Sequence, residues 1–176
     1  MDIGKRLGRE QLIRLLKELD ARAGSAVHLI IGGGAAGILA HGLTRQTMDI
    51  DILCGTPPVS ALHEKIVRLA EKHGLPETWI NDGAKGYARY LPEDFTQRLT
   101  PLEINLKYLH VQILSKIDLF IMKLAAFRPE DIEDIRLLEP ARDKLPIVMK
   151  AIEKISLFDQ KAAMRMDMYL KEKGYV

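Results

Sequence analysis

Two aspartates separated by one residue, Asp49 and Asp51, carry the clearest chemical signal in the sequence. The stretch Asp49 to Leu53 alternates acidic and apolar residues as a β-strand does, so both carboxylates face one side while Ile50 and Ile52 face the core. Two neighbouring carboxylates repel each other unless a cation lies between them. A hard dication such as Mg²⁺ favours oxygen ligands and shares them with substrate phosphates. The pair therefore predicts a divalent metal site.

A glycine-rich turn, Gly32-Gly33-Gly34-Ala35-Ala36-Gly37, lies between the apolar run Val27 to Ile31 and the aspartates. The run is rich in β-branched residues and ends in glycine, which predicts a buried strand. Ala35 to His41 predicts a short helix that ends at Gly42. The N-terminus of such a helix offers backbone N–H groups to phosphate oxygens. Strand, turn, helix and second strand together predict a combined phosphate and metal site.

The same glycines support two other interpretations. They satisfy G-x-G-x-x-G, and Asp51 follows Gly32 by 19 positions, close to the ribose-binding carboxylate of a dinucleotide-binding fold. However, the helix before Gly42 is short for that fold, and Asp51 lies near the beginning of its strand rather than the end. No further strand-helix alternation supplies a second nucleotide-binding half. Dinucleotide binding of the Rossmann type remains a minor alternative, and a ligand-free tight turn is the other.

Length and composition are those of an ordinary globular protein. The 176 residues suit one domain, and 47% hydrophobic with 28% charged residues is typical of soluble chains. A net charge of +2 is too small to argue for nucleic acid by itself. The single cysteine, Cys54, excludes an internal disulfide and fits a reducing compartment. The first residues lack the apolar core of a signal peptide, and no apolar run is long enough to span a bilayer. We therefore expect a cytoplasmic protein that does not bind membranes.

The remaining pattern predicts the elements that position the aspartates. Helices are predicted at Arg9 to Ala23, Ser60 to His73, Ser115 to Phe127, Glu130 to Leu138 and Ile147 to Lys173. Strands are predicted near Trp79-Ile80, at Tyr87 to Leu91, and as one bent or two short strands in Leu102 to Leu114. The expected fold is α+β, a small mixed β-sheet flanked by helices, with a helical C-terminal part. We expect residues 1–114 to form the core and residues 115–176 to pack on it, giving a single compact unit.

The spacing around the aspartates resembles a known signature. Gly33-Gly34, fourteen intervening residues and then Asp49-Ile50-Asp51 look like the motif of nucleotidyltransferases of the DNA polymerase beta type. More narrowly, they resemble small bacterial members related to abortive-infection toxins, which read roughly G-G-x-A…G…R-x-T-x-D-I-D. The matching positions between the two halves of the motif are Gly42, Arg45 and Thr47.

The similarity continues towards the C-terminus. Leu91 to Pro101 is similar to a middle segment of such proteins. Lys123-Leu124-Ala125-Ala126, followed by Arg128, Asp131 and Asp134, is similar to their K-x-x-A…R…D-x-x-D helix pair. The resemblance therefore covers roughly residues 10 to 140.

The resemblance implies a fold, an activity and roles for particular residues. The implied fold is the nucleotidyltransferase fold. The implied activity transfers a nucleoside monophosphate from an NTP to a hydroxyl of RNA, protein or a small molecule, with Mg²⁺ or Mn²⁺ as cofactor. Asp49 and Asp51 would hold the metal as catalytic residues. The nucleotide would contact Gly33, Gly34, Arg45, Thr47 and Lys123.

The family's third catalytic carboxylate is where the sequence departs from the pattern. The expected strand, Leu109 to Leu114, offers His110 and Gln112 but no acid. Glu103 is the first candidate for this catalytic residue, and Asp94 is the second. A member without that acid would lack its general base. The alternative is therefore a catalytically degenerate protein that binds nucleotide or acts as one component of a toxin–antitoxin pair.

Expected partners follow from these two interpretations. They are a nucleotide, an RNA or protein acceptor, an antitoxin protein, and a second copy of the chain in a homodimer. Met164, Met166 and Met168 are interpreted as packing residues or an oligomer contact.

Overall fold

The structure is a computed structural model that describes residues 5–175. Within that range the residues form two compact units, one of residues 5–86 and 99–114 and the other of residues 87–98 and 115–175. The segment 87–98 thus groups with the C-terminal helices, whereas the sequence placed it in the core of residues 1–114.

The first unit contains three helices and five strands. They are α1 (Arg9–Ala23), β1 (Val27–Ile31), α2 (Gly33–Ala40), β2 (Ile50–Thr56), α3 (His63–His73), β3 (Ile80–Asn81), β4 (Thr100–Pro101) and β5 (Leu109–Ile113). A short 3₁₀ helix, Val59–Leu62, leads into α3. The predicted bounds of α1 and β1 are confirmed.

The five strands form one mixed sheet in the order β3-β2-β1-β5-β4. β1 runs antiparallel to β2 and parallel to β5, β2 and β3 are parallel, and β4 and β5 are antiparallel. Val27, Leu29 and Ile31 of β1 are buried in the core, while His28 is exposed on the other face. The predicted α+β class, with a small mixed sheet flanked by helices and a helical C-terminal part, is confirmed.

A carboxylate on α1 fixes the beginning of β5. Asp20 accepts hydrogen bonds from the backbone N–H groups of Lys107, Tyr108 and Leu109, at 2.9, 2.7 and 2.7 Å. Burial alone would raise the pKa of this carboxyl, but the three backbone hydrogen bonds outweigh it and lower the pKa. Because β5 is the parallel neighbour of β1, this contact helps to hold the strand that leads into the glycine turn.

The second unit is helical. It contains α4 (Lys116–Ala126), α5 (Ile132–Leu138), α6 (Leu145–Ser156) and α7 (Gln160–Glu172), with short 3₁₀ helices at Phe95–Arg98, Pro129–Asp131 and Arg142–Lys144. Ser115 caps α4, since its hydroxyl accepts from the backbone N–H of Asp118. Arg98 forms two hydrogen bonds to the fully buried Asp118, at 3.0 and 2.7 Å, and this pair attaches the segment 87–98 to α4.

Two of the predicted elements are wrong. Tyr87 to Leu91 is not a strand, because residues Lys85–Tyr90 form a 3₁₀ helix. Ile147 to Lys173 is not one helix, because α6 ends at Ser156 and Asp159 caps a new helix by accepting from the N–H of Ala162. Met166 packs in the core of this unit, whereas Met164 and Met168 are exposed. In the part of the chain that the structure describes, no helix is both long and apolar enough to cross a bilayer.

Candidate functional site

The glycine turn and the aspartate strand meet at one end of the sheet. Because β1 and β2 are antiparallel, the end of β1 lies beside the beginning of β2, and Ile31 pairs with Ile52. The backbone N–H of Gly32 then donates to the carbonyl oxygen of Asp51 at 2.9 Å. Gly33, the first residue of α2, is thereby held next to Asp51.

Both glycines at the beginning of α2 lie against side chains that the sequence assigned to the site. Gly33 has φ +57°, and a Cβ on it would lie 2.1 Å from Asp51 Oδ2. A Cβ on Gly34 would lie 2.8 Å from Arg45 Nη2 and 3.1 Å from Thr47 Oγ1. Gly33 requires glycine, because its φ is positive and the Asp51 carboxylate occupies the space of a Cβ. At Gly34 a Cβ would displace the end of the Arg45 side chain.

Asp49 and Thr47 lie in the segment that leads into β2. An isolated antiparallel β-bridge with Leu7 holds the backbone of Thr47. The Thr47 hydroxyl donates to the Asp49 carbonyl oxygen at 3.2 Å and lies 3.4 Å from Asp49 Oδ1. The predicted strand began at Asp49, but β2 begins at Ile50 and Asp49 immediately precedes it. Both carboxylates are half-buried, whereas Ile50 and Ile52 are buried in the core.

Asn81, a residue outside the predicted site, also contacts this group. Asn81 is the last residue of β3 and pairs in parallel register with Asp51. Its Nδ2 donates to Asp49 Oδ2 at 3.3 Å, and its Oδ1 accepts from the N–H of Gly83 at 2.7 Å. The sequence signal was an asparagine at the end of the predicted Trp79-Ile80 strand, but nothing local indicated that this strand would pair with β2.

Six of the predicted site residues are thus brought together in the first unit: Gly33, Gly34, Arg45, Thr47, Asp49 and Asp51. Among residues 5–175, no group of three or more His, Cys, Asp or Glu side chains is arranged to hold a metal ion. The site therefore offers two carboxylates, the N-terminus of α2 beside Asp51, and the Arg45 guanidinium beside Gly34. Such a donor set fits a cation that takes its remaining ligands from phosphate oxygens and water.

The sheet does not bring Glu103 to this group, and its role as the third catalytic carboxylate stays a prediction. Glu103 follows β4, the edge strand at the opposite side of the sheet from β3. β4 is antiparallel to β5, and the N–H of Leu102 donates to the carbonyl oxygen of Val111, so the chain at Glu103 runs away from the end that carries Gly33. The second candidate, Asp94, belongs to the other unit and pairs with Arg98 at 2.8 Å.

Lys123, the last of the predicted nucleotide contacts, lies on α4 in the second unit. Its ammonium is buried, with a relative exposure of 4%, and pairs with Asp131 at 2.5 Å and with Asp134 at 2.8 Å. Asp131 and Asp134, which the sequence placed in the similar helix pair, are therefore ion-pair partners of Lys123. This pairing favours a structural role, and the phosphate contact of Lys123 stays a prediction.

The topology excludes the dinucleotide-binding alternative. That fold needs a parallel sheet with the ribose carboxylate at the end of the second strand, whereas β1 and β2 are antiparallel and Asp51 is the second residue of β2. The third glycine of G-x-G-x-x-G has a packing role, because a Cβ on Gly37 would lie 2.3 Å from Leu43 Cδ1.

Comparison with known proteins agrees with this geometry. Neither the curated proteins nor the solved structures include a match to the chain. The sequence model of one family, described as nucleotidyltransferase of unknown function (DUF6036), matches residues 10–162. This span includes the glycine turn, the aspartate pair and Asn81. The chain therefore belongs to this family of nucleotidyltransferases of unknown function.

Proposed function

We propose that the chain transfers a nucleoside monophosphate from an NTP to an acceptor, in a reaction that depends on Mg²⁺ or Mn²⁺. The observation that carries the proposal is the close approach of Gly33 to the Asp51 carboxylate. The N-terminus of α2 suits phosphate and the Asp51 carboxylate beside it suits a metal ion, so this approach supports a combined site. Membership of a nucleotidyltransferase family supports the same assignment.

In this proposal Asp49 and Asp51 hold the cation. The Thr47 hydroxyl and the Asn81 amide lie within hydrogen-bond distance of the Asp49 carboxylate, and both are neutral groups that orient it without forming an ion pair. Mg²⁺ is commonly bound by one or two carboxylates together with substrate phosphates and water. When bound, the ion would neutralise charge on the phosphate oxygens.

The triphosphate lies against the beginning of α2. The first N–H groups of a helix have no acceptor within the helix, so those of Gly33 and Gly34 suit phosphate oxygens. The guanidinium of Arg45 lies beside Gly34 and can bind phosphate with two parallel hydrogen bonds. An acceptor oxygen attacks the α-phosphorus, the bond to the bridging oxygen breaks, pyrophosphate leaves, and the proton of a hydroxyl acceptor passes to water.

A second candidate function is favoured by one observation, the amide of Asn81 beside Asp49 and Asp51. An amide does not accept a proton at neutral pH, so Asn81 does not supply a general base. This candidate is a protein that binds nucleotide without transferring it and acts as one component of a toxin–antitoxin pair. It would be isolated from its native host together with an antitoxin protein.

A transfer assay tests both candidates. The chain is incubated with each α-labelled NTP, Mg²⁺ or Mn²⁺, total RNA and cell lysate, and label on RNA or protein is measured. We expect Asp49→Ala to abolish incorporation. Asp143→Ala serves as the matched control, because Asp143 is an exposed carboxylate in the second unit, and it should incorporate label as the wild type does.

Binding measurements decide the remaining outcomes. NTP and metal binding without any label transfer would reject the enzyme and support the second candidate. If neither metal nor NTP binds at millimolar concentration, both candidates fail. The size of the label-bearing product identifies RNA or protein as the acceptor, and gel filtration of the same sample tests the proposed homodimer.

A further inference from the structure

The side chain of Asn81 makes three hydrogen bonds, of which one reaches Asp49 and two are to neighbouring residues of its own chain segment. Its Nδ2 donates to Asp49 Oδ2 at 3.3 Å and to the Thr78 carbonyl oxygen at 3.2 Å. Its Oδ1 accepts from the backbone N–H of Gly83 at 2.7 Å. Because Asn81 pairs in register with Asp51 on the neighbouring parallel strand, the two side chains share a face of the sheet.

These partners fix the orientation of the amide. The Gly83 N–H needs an acceptor, while the Asp49 carboxylate and the Thr78 carbonyl need donors. A flipped amide would turn its oxygen towards two acceptors and its NH₂ towards a donor, so the network allows only one assignment. Gly83 allows the turn to close around the amide, since a Cβ on it would lie 2.6 Å from Asn81 Oδ1.

We infer that Asn81 is a positioning residue that holds the Asp49 carboxylate in place for a divalent cation, an inference that rests on the proposed function. Asn81 donates to one carboxylate oxygen of Asp49, and the Thr47 hydroxyl lies within reach of the other. A carboxylate oriented by such contacts loses little freedom when it binds a cation. Both donors are neutral, so neither forms an ion pair with the carboxylate that would compete with a cation.

Asn81→Leu tests this role because leucine has a similar size but no donor. The binding of Mn²⁺ to the full chain, with a non-hydrolysable NTP analogue present, is measured by electron paramagnetic resonance of the free ion. We expect Asn81→Leu to raise the Kd for Mn²⁺ roughly tenfold, as loss of a hydrogen bond to a charged group does. Asn105→Leu, an exposed asparagine in the first unit, is the matched control and should leave the Kd unchanged.

Asp49→Asn separates the inference from the proposed function. If Asp49→Asn abolishes Mn²⁺ binding but Asn81→Leu binds with the wild-type Kd, the metal site stands and the positioning role is overturned. If the wild-type chain binds no Mn²⁺ with the NTP analogue present, the proposed function fails and the inference fails with it. A merely structural role would lower the unfolding midpoint of Asn81→Leu without changing its Kd.

Asn81→Asp provides a second test if Asn81→Leu does not fold. Aspartate keeps the acceptor for Gly83 but places an oxygen, instead of NH₂, against Asp49 and the Thr78 carbonyl. We expect a lower unfolding midpoint than the wild type without metal, and a larger upward shift of that midpoint on addition of Mn²⁺, because a cation relieves repulsion between carboxylates. Equal Mn²⁺-induced shifts in both proteins would overturn the inference.

Discussion

The α-carbon of Gly33 lies so close to the carboxylate of Asp51 that a Cβ at position 33 would be 2.1 Å from Oδ2. Gly33 also has φ +57°, a conformation that residues with a Cβ rarely adopt. Backbone conformation and space therefore both require glycine at the point where the phosphate and metal parts of the site meet. Substitution of Gly33 is informative because the strain from its positive φ and the displacement of the Asp51 carboxylate can be measured separately.

Gly33→Ala should lower both stability and ligand binding. We expect the free energy of unfolding to fall by about 1–3 kcal/mol from backbone strain, with a further loss because Asp51 must move. Urea denaturation measures the loss of stability, and Mn²⁺ titration measures the loss of ligand binding. Gly24→Ala is the matched control, since Gly24 has φ +75° but open space around its α-carbon. It should lose stability without losing Mn²⁺ affinity, and an equal loss of affinity in both variants would contradict the interpretation.

Arg45→Lys should weaken nucleotide binding while the metal site is kept. Lysine retains the positive charge but not the planar fork that binds phosphate with two hydrogen bonds, so we expect about a tenfold higher Kd for NTP. Isothermal titration calorimetry with a non-hydrolysable NTP measures it. Arg14→Lys, an exposed arginine on α1, should bind NTP as the wild type does. An unchanged Kd for NTP in Arg45→Lys would show that Arg45 does not bind the nucleotide through its planar guanidinium.

A charge cluster on the first unit gives a pH-dependent prediction. Glu18 accepts from Lys72 at 2.7 Å and contacts His73 at 3.0 Å, and these hydrogen bonds, with that of Lys72 the larger cause, lower its pKa from 4.5 to about 2. A lowered folded-state pKa stabilises the fold above the unfolded value of 4.5, and this contribution is lost as the pH falls towards 2. The Glu18 side chain is 19% exposed, so solvent screening reduces its contribution to the free energy of unfolding to roughly 1 kcal/mol.

Glu18→Gln should therefore be less stable than the wild type at pH 7, by that amount. The difference should shrink as the pH is lowered from 4.5 towards 2, because the wild-type carboxylate becomes protonated. Urea denaturation across this range measures the difference. Glu10→Gln, an exposed carboxylate on the same helix, should show little effect at any of these pH values. A difference for Glu18→Gln that does not depend on pH would show that the ion pairs contribute nothing.

The features that could be predicted are those that depend on residues close together in the sequence. The leucine spacing of α1 and the β-branched run of β1 are local patterns, and both elements have the predicted bounds. The Gly33-Gly34 and Asp49-x-Asp51 spacing identified the parts of the site that a short segment of chain connects. The antiparallel pairing of β1 and β2 then brings these two parts together.

Features that depend on long-range pairing were missed. Asn81 reaches Asp49 only because β3 pairs with β2 in parallel, and no local pattern encodes that register. Glu103 was selected as the nearest acid on a predicted strand, but it follows β4, which lies at the opposite edge of the sheet from β3. The break between α6 and α7 was missed because the apolar spacing continues across it, and only the capping by Asp159 begins a new helix.

The buried ion pairs of Lys123 give the last prediction. Removing this cation by Lys123→Met would leave Asp131 and Asp134 buried without it, and breaking such a buried pair costs about 3–5 kcal/mol. We therefore expect a large loss in the free energy of unfolding, measured by urea denaturation. If the role of Lys123 is structural, Lys123→Met combined with Asp131→Asn and Asp134→Asn should recover most of that loss, because no uncompensated charge remains buried.

The same variants test the alternative role of Lys123 as a phosphate contact. The recovered triple variant should bind NTP with the wild-type Kd if Lys123 only stabilises the second unit. A phosphate contact would instead leave the triple variant stable but weaker in NTP binding, because a charge that attracts the triphosphate would be missing. Restored stability with a raised Kd for NTP would therefore support a phosphate contact by Lys123. Restored stability with an unchanged Kd would exclude that contact.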